Sequence, residues 1–178
     1  MTTRRFFSAA VAVPLLLAAC GVMAGADSAR KTATADIKDG NGQNVGAAKF
    51  KAVKSGVEMS VKVMNLSPGV HAIHIHEAGK CDAPDFKTAG GHFNPASRKH
   101  GMQNPEGHHA GDLPNLTVDP KGKGAFKSTT QDVTLAGDGP TSLFRAGGTS
   151  VVIHEKADDM KTDPAGNAGA RIACGVIQ

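Results

Sequence analysis

The run Val57–Leu66, VEMSVKVMNL, alternates cleanly through Val63. Val57, Met59, Val61 and Val63 fall on one side, and Glu58, Ser60 and Lys62 on the other. A period of two is the signature of a half-buried β-strand. Turn formers close it at both ends, Ser55-Gly56 before and Ser67-Pro68-Gly69 after. Weaker forms of the pattern occur at Thr32–Ile37, Val45–Val53, Val70–His76, Leu116–Val118, Ala125–Leu135, Thr149–His154 and Ile172–Ile177. Further turn signals lie at Asp39-Gly40-Asn41-Gly42 and Asp119-Pro120-Lys121-Gly122. No segment has a helical period, and 22 glycines in 178 residues disfavour helix interiors. The expectation is an all-β fold, an eight-stranded antiparallel Greek-key barrel or sandwich. Two long loops interrupt it, about 77–113 and 155–170; long structureless loops in a compact domain are usually functional.

The first 19 residues hold Arg4-Arg5 and then an apolar run too short to span a bilayer, which reads as a secretory signal peptide. Its end, Leu17-Ala18-Ala19-Cys20, resembles a bacterial lipoprotein signal, in which Cys20 is lipidated and becomes the new N-terminus. Thr3-Arg4-Arg5-Phe6-Phe7 also resembles a twin-arginine export signal, and the general export route fits equally well. Residues 20–31 then form the lipidated Cys and a small, polar tether, and 32–178 a single domain. The expected location is the periplasm or cell envelope, with the lipid anchor as the only membrane contact. The formal charge of +4 owes much to the leader; without it 18 basic residues face 16 acidic ones. With 4% aromatic residues and no basic patch interleaved with them, nucleic-acid binding is excluded.

Between His74 and Asp112 lie six of the eight histidines: His74, His76, His92, His100, His108 and His109. Imidazole is the commonest metal ligand, and this density is hard to explain as packing. On a strand, His74-Ile75-His76 offers two imidazoles on one face while Ile73 and Ile75 pack on the other. Val151-Val152-Ile153-His154 ends an apolar strand on another. Alone, either is a weak signal, since a lone His is more often a satisfied core residue.

The combination is more specific. His74-Ile75-His76-Glu77, Gly91-His92-Phe93-Asn94-Pro95, Ser97-Arg98-Lys99-His100-Gly101, Gly111-Asp112-Leu113, His154-Glu155-Lys156-Ala157-Asp158-Asp159 and Gly166-Asn167-Ala168-Gly169-Ala170-Arg171 up to Ala173-Cys174-Gly175 follow one another in order. From about Val45 to the C-terminus the chain closely resembles the copper,zinc superoxide dismutases. The resemblance implies copper on His74, His76, His92 and His154, and zinc on His92, His100, His109 and Asp112. His92 would bridge the metals as an imidazolate. His108 and His109 are equivalent by composition, and the family spacing selects His109; His108 and His71 are then expected to be solvated. Asp158 would link a copper His and a zinc His, Arg171 would attract and bind the anion, and Cys81 and Cys174 would form a disulfide.

The implied activity is dismutation of superoxide to O2 and hydrogen peroxide, with Arg171 and His92 as the catalytic residues. Three His and one Asp close zinc's four-coordinate shell, which disfavours a zinc hydrolase. Copper(II) favours tetragonal nitrogen ligation and leaves room for a small ligand. The competing reading is a non-catalytic protein that buffers copper and zinc outside the cytoplasm; the six scattered methionines weigh against it. The loop from His154 to Arg171 is shorter than in eukaryotic members and lacks their acidic run, and Ala165 stands where they commonly have Thr. The eukaryotic dimer contacts near the C-terminus are not matched, so a homodimer stays one open state among others.

Overall fold

The computed structural model describes residues 1–2 and 30–178; most of the signal peptide, Cys20 and most of the tether lie outside the described residues. Nine strands follow: β1 Thr32–Asp39, β2 Asn44–Val53, β3 Gly56–Val63, β4 Gly69–His71, β5 Ile73–His76, β6 Leu116–Val118, β7 Gly124–Thr130, β8 Ser150–His154 and β9 Arg171–Val176. All pairings are antiparallel, in the order β4-β6-β7-β3-β2-β1-β9-β8-β5. The two outermost strands, β4 and β5, are consecutive in the chain, so the sheet curls into a near-barrel. Among the described residues no helix is long and apolar enough to cross a membrane.

The count is nine, not eight, because the expected strand Val70–His76 breaks at Ala72. The Ala72 N–H donates to Lys156 O (2.7 Å), and its carbonyl accepts the His154 N–H (2.9 Å). Before this pivot the chain pairs with β6, and after it with β8. The last part of Ala125–Leu135 also leaves the sheet: β7 ends at Thr130, where Thr130 Oγ1 and Asp132 bond each other locally.

The alternation in β3 places Val57, Met59, Val61 and Val63 in the core, as expected. With Phe50, Ile37, Ile73, Ile75, Phe93 and Ile153 they form one apolar interior. Burial of each such side chain stabilises the fold by roughly 1.5–3 kcal/mol. β5 and β8 are buried on both faces. Ile73, Ile75 and Ile153 point inward, whereas Val152 and Cys174 pack outward with Phe86, Ala89 and Cys81. The long loops therefore cover the outer face of the β5–β8–β9 wall, and the histidines stand there.

The free edge of β5 is zipped to the first loop. Ile75 N–H donates to Gly111 O (2.9 Å), Phe93 N–H to Ile75 O (2.9 Å) and Glu77 N–H to Gly91 O (3.0 Å). This covers a strand edge that would otherwise invite pairing with another chain. It also sets His92 opposite His76 and Asp112 opposite His74. A Cβ on Gly111 would stand 2.2 Å from Ile75 O, so only glycine permits the approach.

Candidate metal centre

His74 and His76 come from β5, His154 from the end of β8 and His92 from the zipped loop. All four are buried, and one donor atom from each falls within 4.8 Å of the others. Their outer nitrogens are spoken for. His74 Nε2–H donates to Asp158 Oδ2 (2.8 Å), His76 Nδ1–H to Gly90 O (3.0 Å) and His154 Nδ1–H to Gly169 O (3.5 Å). That leaves His74 Nδ1, His76 Nε2, His92 Nε2 and His154 Nε2 buried with no partner in the protein. An unsatisfied buried polar atom costs about 1–3 kcal/mol; four on one spot are explained by a metal ion. Burial, reinforced by neighbouring imidazoles, holds the pKa of His76 well below the ordinary value, that of His92 at about 4 and that of His154 at about 3. His74 is lowered too, burial outweighing Asp158. The rings are neutral at physiological pH, with lone pairs available to a cation.

A second group shares His92. His92 Nδ1, His100 Nδ1 and His109 Nδ1 converge on Asp112 Oδ1 at 3.0, 2.9 and 3.4 Å. His109 Nδ1 lies 3.3 Å from His92 Nδ1. Donor atoms at the corners of a tetrahedron around zinc, with bonds of about 2.0–2.1 Å, are separated by about 3.3 Å. The spacing and the N3O donor set thus fit zinc. Asp112 Oδ2 accepts the N–H groups of Gly101 (2.8 Å) and His109 (2.9 Å). Although burial pushes the Asp112 carboxyl upward, its His and backbone donors hold it far below the usual range. Burial also opposes the charging of His100, but hydrogen bonds to Asp112 and Asp158 raise it to about 9. His100 faces two carboxylates, which outweigh its burial; His92 faces one, and burial with the neighbouring imidazoles wins.

Asp158 joins the groups: Oδ2 takes His74 Nε2–H, and Oδ1 takes His100 Nε2–H at 3.0 Å. A carboxylate behind a ligating imidazole fixes its tautomer and orientation. Despite burial, these donors and the Met160 N–H hold Asp158 well below the usual carboxylate range. Asn115 clamps the Asp158 backbone through both its amide groups (2.9 Å each). A Cβ on Gly166, at φ +62°, would meet Asp158 Oδ1 at 1.9 Å.

Arg171 opens β9. A register shift after Ile153 pairs it with His154 in place of Ile172. Such a bulge re-aims side chains beside active sites. Its guanidinium donates from Nη1 to Phe86 O (2.7 Å) and from Nη2 to Gly90 O (2.6 Å), beside the first histidine group. Partial burial lowers its pKa and Asp85 restores some of it. The disulfide Cys81–Cys174 forms as expected and closes a separation of 93 residues. It ties the loop that carries Phe86 and Gly90 to β9.

The structure brings together all nine residues expected at the metals and beside them, the seven donors with Asp158 and Arg171. His108 is half-exposed and bonds Asp132. His71, expected to be solvated, is instead 2% exposed: Nδ1 lies 2.8 Å from His154 O and Nε2 2.8 Å from Ser67 O. It props up the backbone of a donor histidine, because Ala72 turns β4 under β8. The spacing His71-x-x-His74 was the only trace of this in the chain; nothing marked Asn115.

A family model described as copper/zinc superoxide dismutase matches residues 44–177. Superoxide dismutase [Cu-Zn] 1 of Aquifex aeolicus is 49% identical over 163 residues, 90% of this chain and 96% of that one. A SOD-like protein from Bacillus subtilis, of solved structure, superposes with a TM-score of 0.77 at 40% identity, covering 80% of this chain and 96% of that one. The Cu/Zn superoxide dismutase from Brucella abortus does so with a TM-score of 0.66 at 29% identity, covering 83% and 99%. Donor geometry, fold and sequence agree: the chain belongs to the copper/zinc superoxide dismutase family.

Proposed function

We propose that this protein dismutes superoxide to O2 and hydrogen peroxide at a copper site joined through His92 to a zinc site. Membership alone does not carry the reading, since one relative is described only as SOD-like. The carrying observation is that His92 belongs to both donor groups, Nδ1 turned to one and Nε2 unpaired in the other. Bound copper would supply the one-electron exchange that oxidises one superoxide and reduces the next.

The chain supplies the rest. His74, His76, His92 and His154 would hold copper, and His92, His100, His109 and Asp112 zinc. With Nδ1 engaged at the zinc group, Nε2 is the His92 atom that would hold a proton whenever it is not holding copper, and it faces the site from which the proton would pass to the reduced product. Arg171 uses two of its five N–H donors on carbonyls, and the others remain to orient an anion. Asp158 keeps His74 and His100 in the tautomers that turn Nδ1 to the metals. Catalysis here rests on charge placed where the substrate's charge sits.

The leader composition and the disulfide support a site of action outside the cytoplasm, where such bonds persist. Lipidation of Cys20 belongs to the same proposal, and incorporation of labelled palmitate that is lost in Cys20→Ala is its test. For the activity, the test is a dismutation assay on protein loaded with both metals. Copper-dependent turnover is expected; full loading without turnover would assign the chain to metal buffering. Loading both groups with copper(II) tests the bridge: a shared imidazolate couples the two spins in EPR, and two independent signals would dismiss it.

A further inference from the structure

Two of the zinc-group histidines have a further carboxylate close by, outside the donor set and distinct from Asp158. Asp163, in the loop between β8 and β9, accepts the His100 backbone N–H on Oδ1 at 2.7 Å. The same Oδ1 lies 3.9 Å from His109 Nε2, the ring atom turned away from the donor group. Lys99 Nζ approaches Oδ2 at 3.6 Å. Nearby contacts hold the same two loops together: Gln103 N–H donates to Met160 O (3.0 Å) and Asn104 Nδ2–H to Lys161 O (3.3 Å).

We infer that Asp163 is a positioning residue for zinc retention, seating His100 through its backbone and His109 through its ring. This rests on the zinc assignment above. A histidine bound through Nδ1 carries its proton on Nε2, and a carboxylate behind that proton orients the ring and makes it a better donor. Asp158 does this for His100, and Asp163 completes the pattern at His109. At 3.9 Å its action on His109 is electrostatic, while the 2.7 Å bond fixes the backbone from which His100 projects. The carboxylate side chain is 40% exposed, which limits the effect.

The test compares full-length wild type, Asp163→Asn and Asp163→Ala by chelator-competition titration with Zn2+, and by the visible spectrum of Co2+ in the same group. Losing such a carboxylate costs about 10–100-fold in metal affinity; exposure places Asp163→Ala near tenfold. Asp163→Asn keeps an acceptor for the His100 N–H but no charge toward His109, so it should fall between, with an altered Co2+ spectrum. Copper affinity and thermal unfolding of the Asn variant should match wild type. Zinc affinities within twofold of wild type in both variants would overturn the inference, as would equal loss of both metals, which marks a merely structural role. Wild type that binds no zinc would instead overturn the zinc assignment itself.

Discussion

Arg171 and His76 share one oxygen: the Gly90 carbonyl accepts Arg171 Nη2–H at 2.6 Å and His76 Nδ1–H at 3.0 Å. The cation that would meet the substrate and an imidazole that would hold copper are thus aligned by the same backbone atom. Arg171→Ala should leave copper content unchanged and lower kcat/KM by about 10–100-fold, since it removes preorganised donors and a steering charge. Arg171→Lys should recover part of the loss, because the charge returns without the planar fork. Wild-type turnover in Arg171→Ala would remove the residue from the site.

His74→Ala deletes one of the four donors of the copper group and leaves every zinc-group donor in place. Turnover should vanish while one zinc per chain is retained, measured by metal analysis beside the assay. Residual activity above a few per cent would mean that three histidines suffice.

At Gly166→Ala the added methyl would have to enter Asp158 Oδ1, at a backbone φ of +62°. Displacing Asp158 frees His74 and His100 together, so affinities for both metals should fall, each by about 10–100-fold. Strain of about 1–3 kcal/mol should appear in denaturant unfolding of the metal-free protein. Asp158→Asn should reproduce the metal defects without the strain. Normal metal binding in both variants would show that the bridge is dispensable.

The metal-free protein should be most stable near pH 6.5. Folding holds His92 at about 4 and His154 at about 3, against 6.5 for a free imidazole. The unfolded chain takes up these protons first, so their stabilisation is complete above about pH 6.5 and is lost as pH falls toward 3–4, by about 1.4 kcal/mol per unit per histidine. His100, raised to about 9, acts in the opposite sense: its contribution is complete below about 6.5 and is lost as pH rises through 9. Urea unfolding of chelator-treated protein at several pH values measures both limbs, and a flat profile would contradict a buried imidazole cluster.

Replacing Cys81 and Cys174 by Ser opens a loop of 93 residues. In the chain-entropy account the loss is about 4–5 kcal/mol. Dismutation should fall as well, because Phe86 and Gly90, the acceptors for Arg171, lie on the released segment. Calorimetry with an assay on the surviving fold separates the two effects.

The strands were legible because alternation is a local property. Val57–Val63 buries the four residues its pattern selects. The break at Ala72 was not legible, since it comes from a change of partner between β6 and β8, which no neighbouring residue encodes. Likewise the metal donors stood out by residue type and by family resemblance, whereas their supports did not. His71 sits under His154, and Asn115 clamps Asp158 from 43 residues away. Supporting contacts of this kind depend on backbone groups, which carry no residue signature.

The histidines occupy the outside of the β5–β8–β9 wall and the aliphatic interior lies behind it. The wall is a partition between two selective demands. Changes among Ile73, Ile75 and Ile153 are felt as stability, whereas changes in the covering loops reach the chemistry as well. Such a protein can drift in one compartment while the other stays fixed.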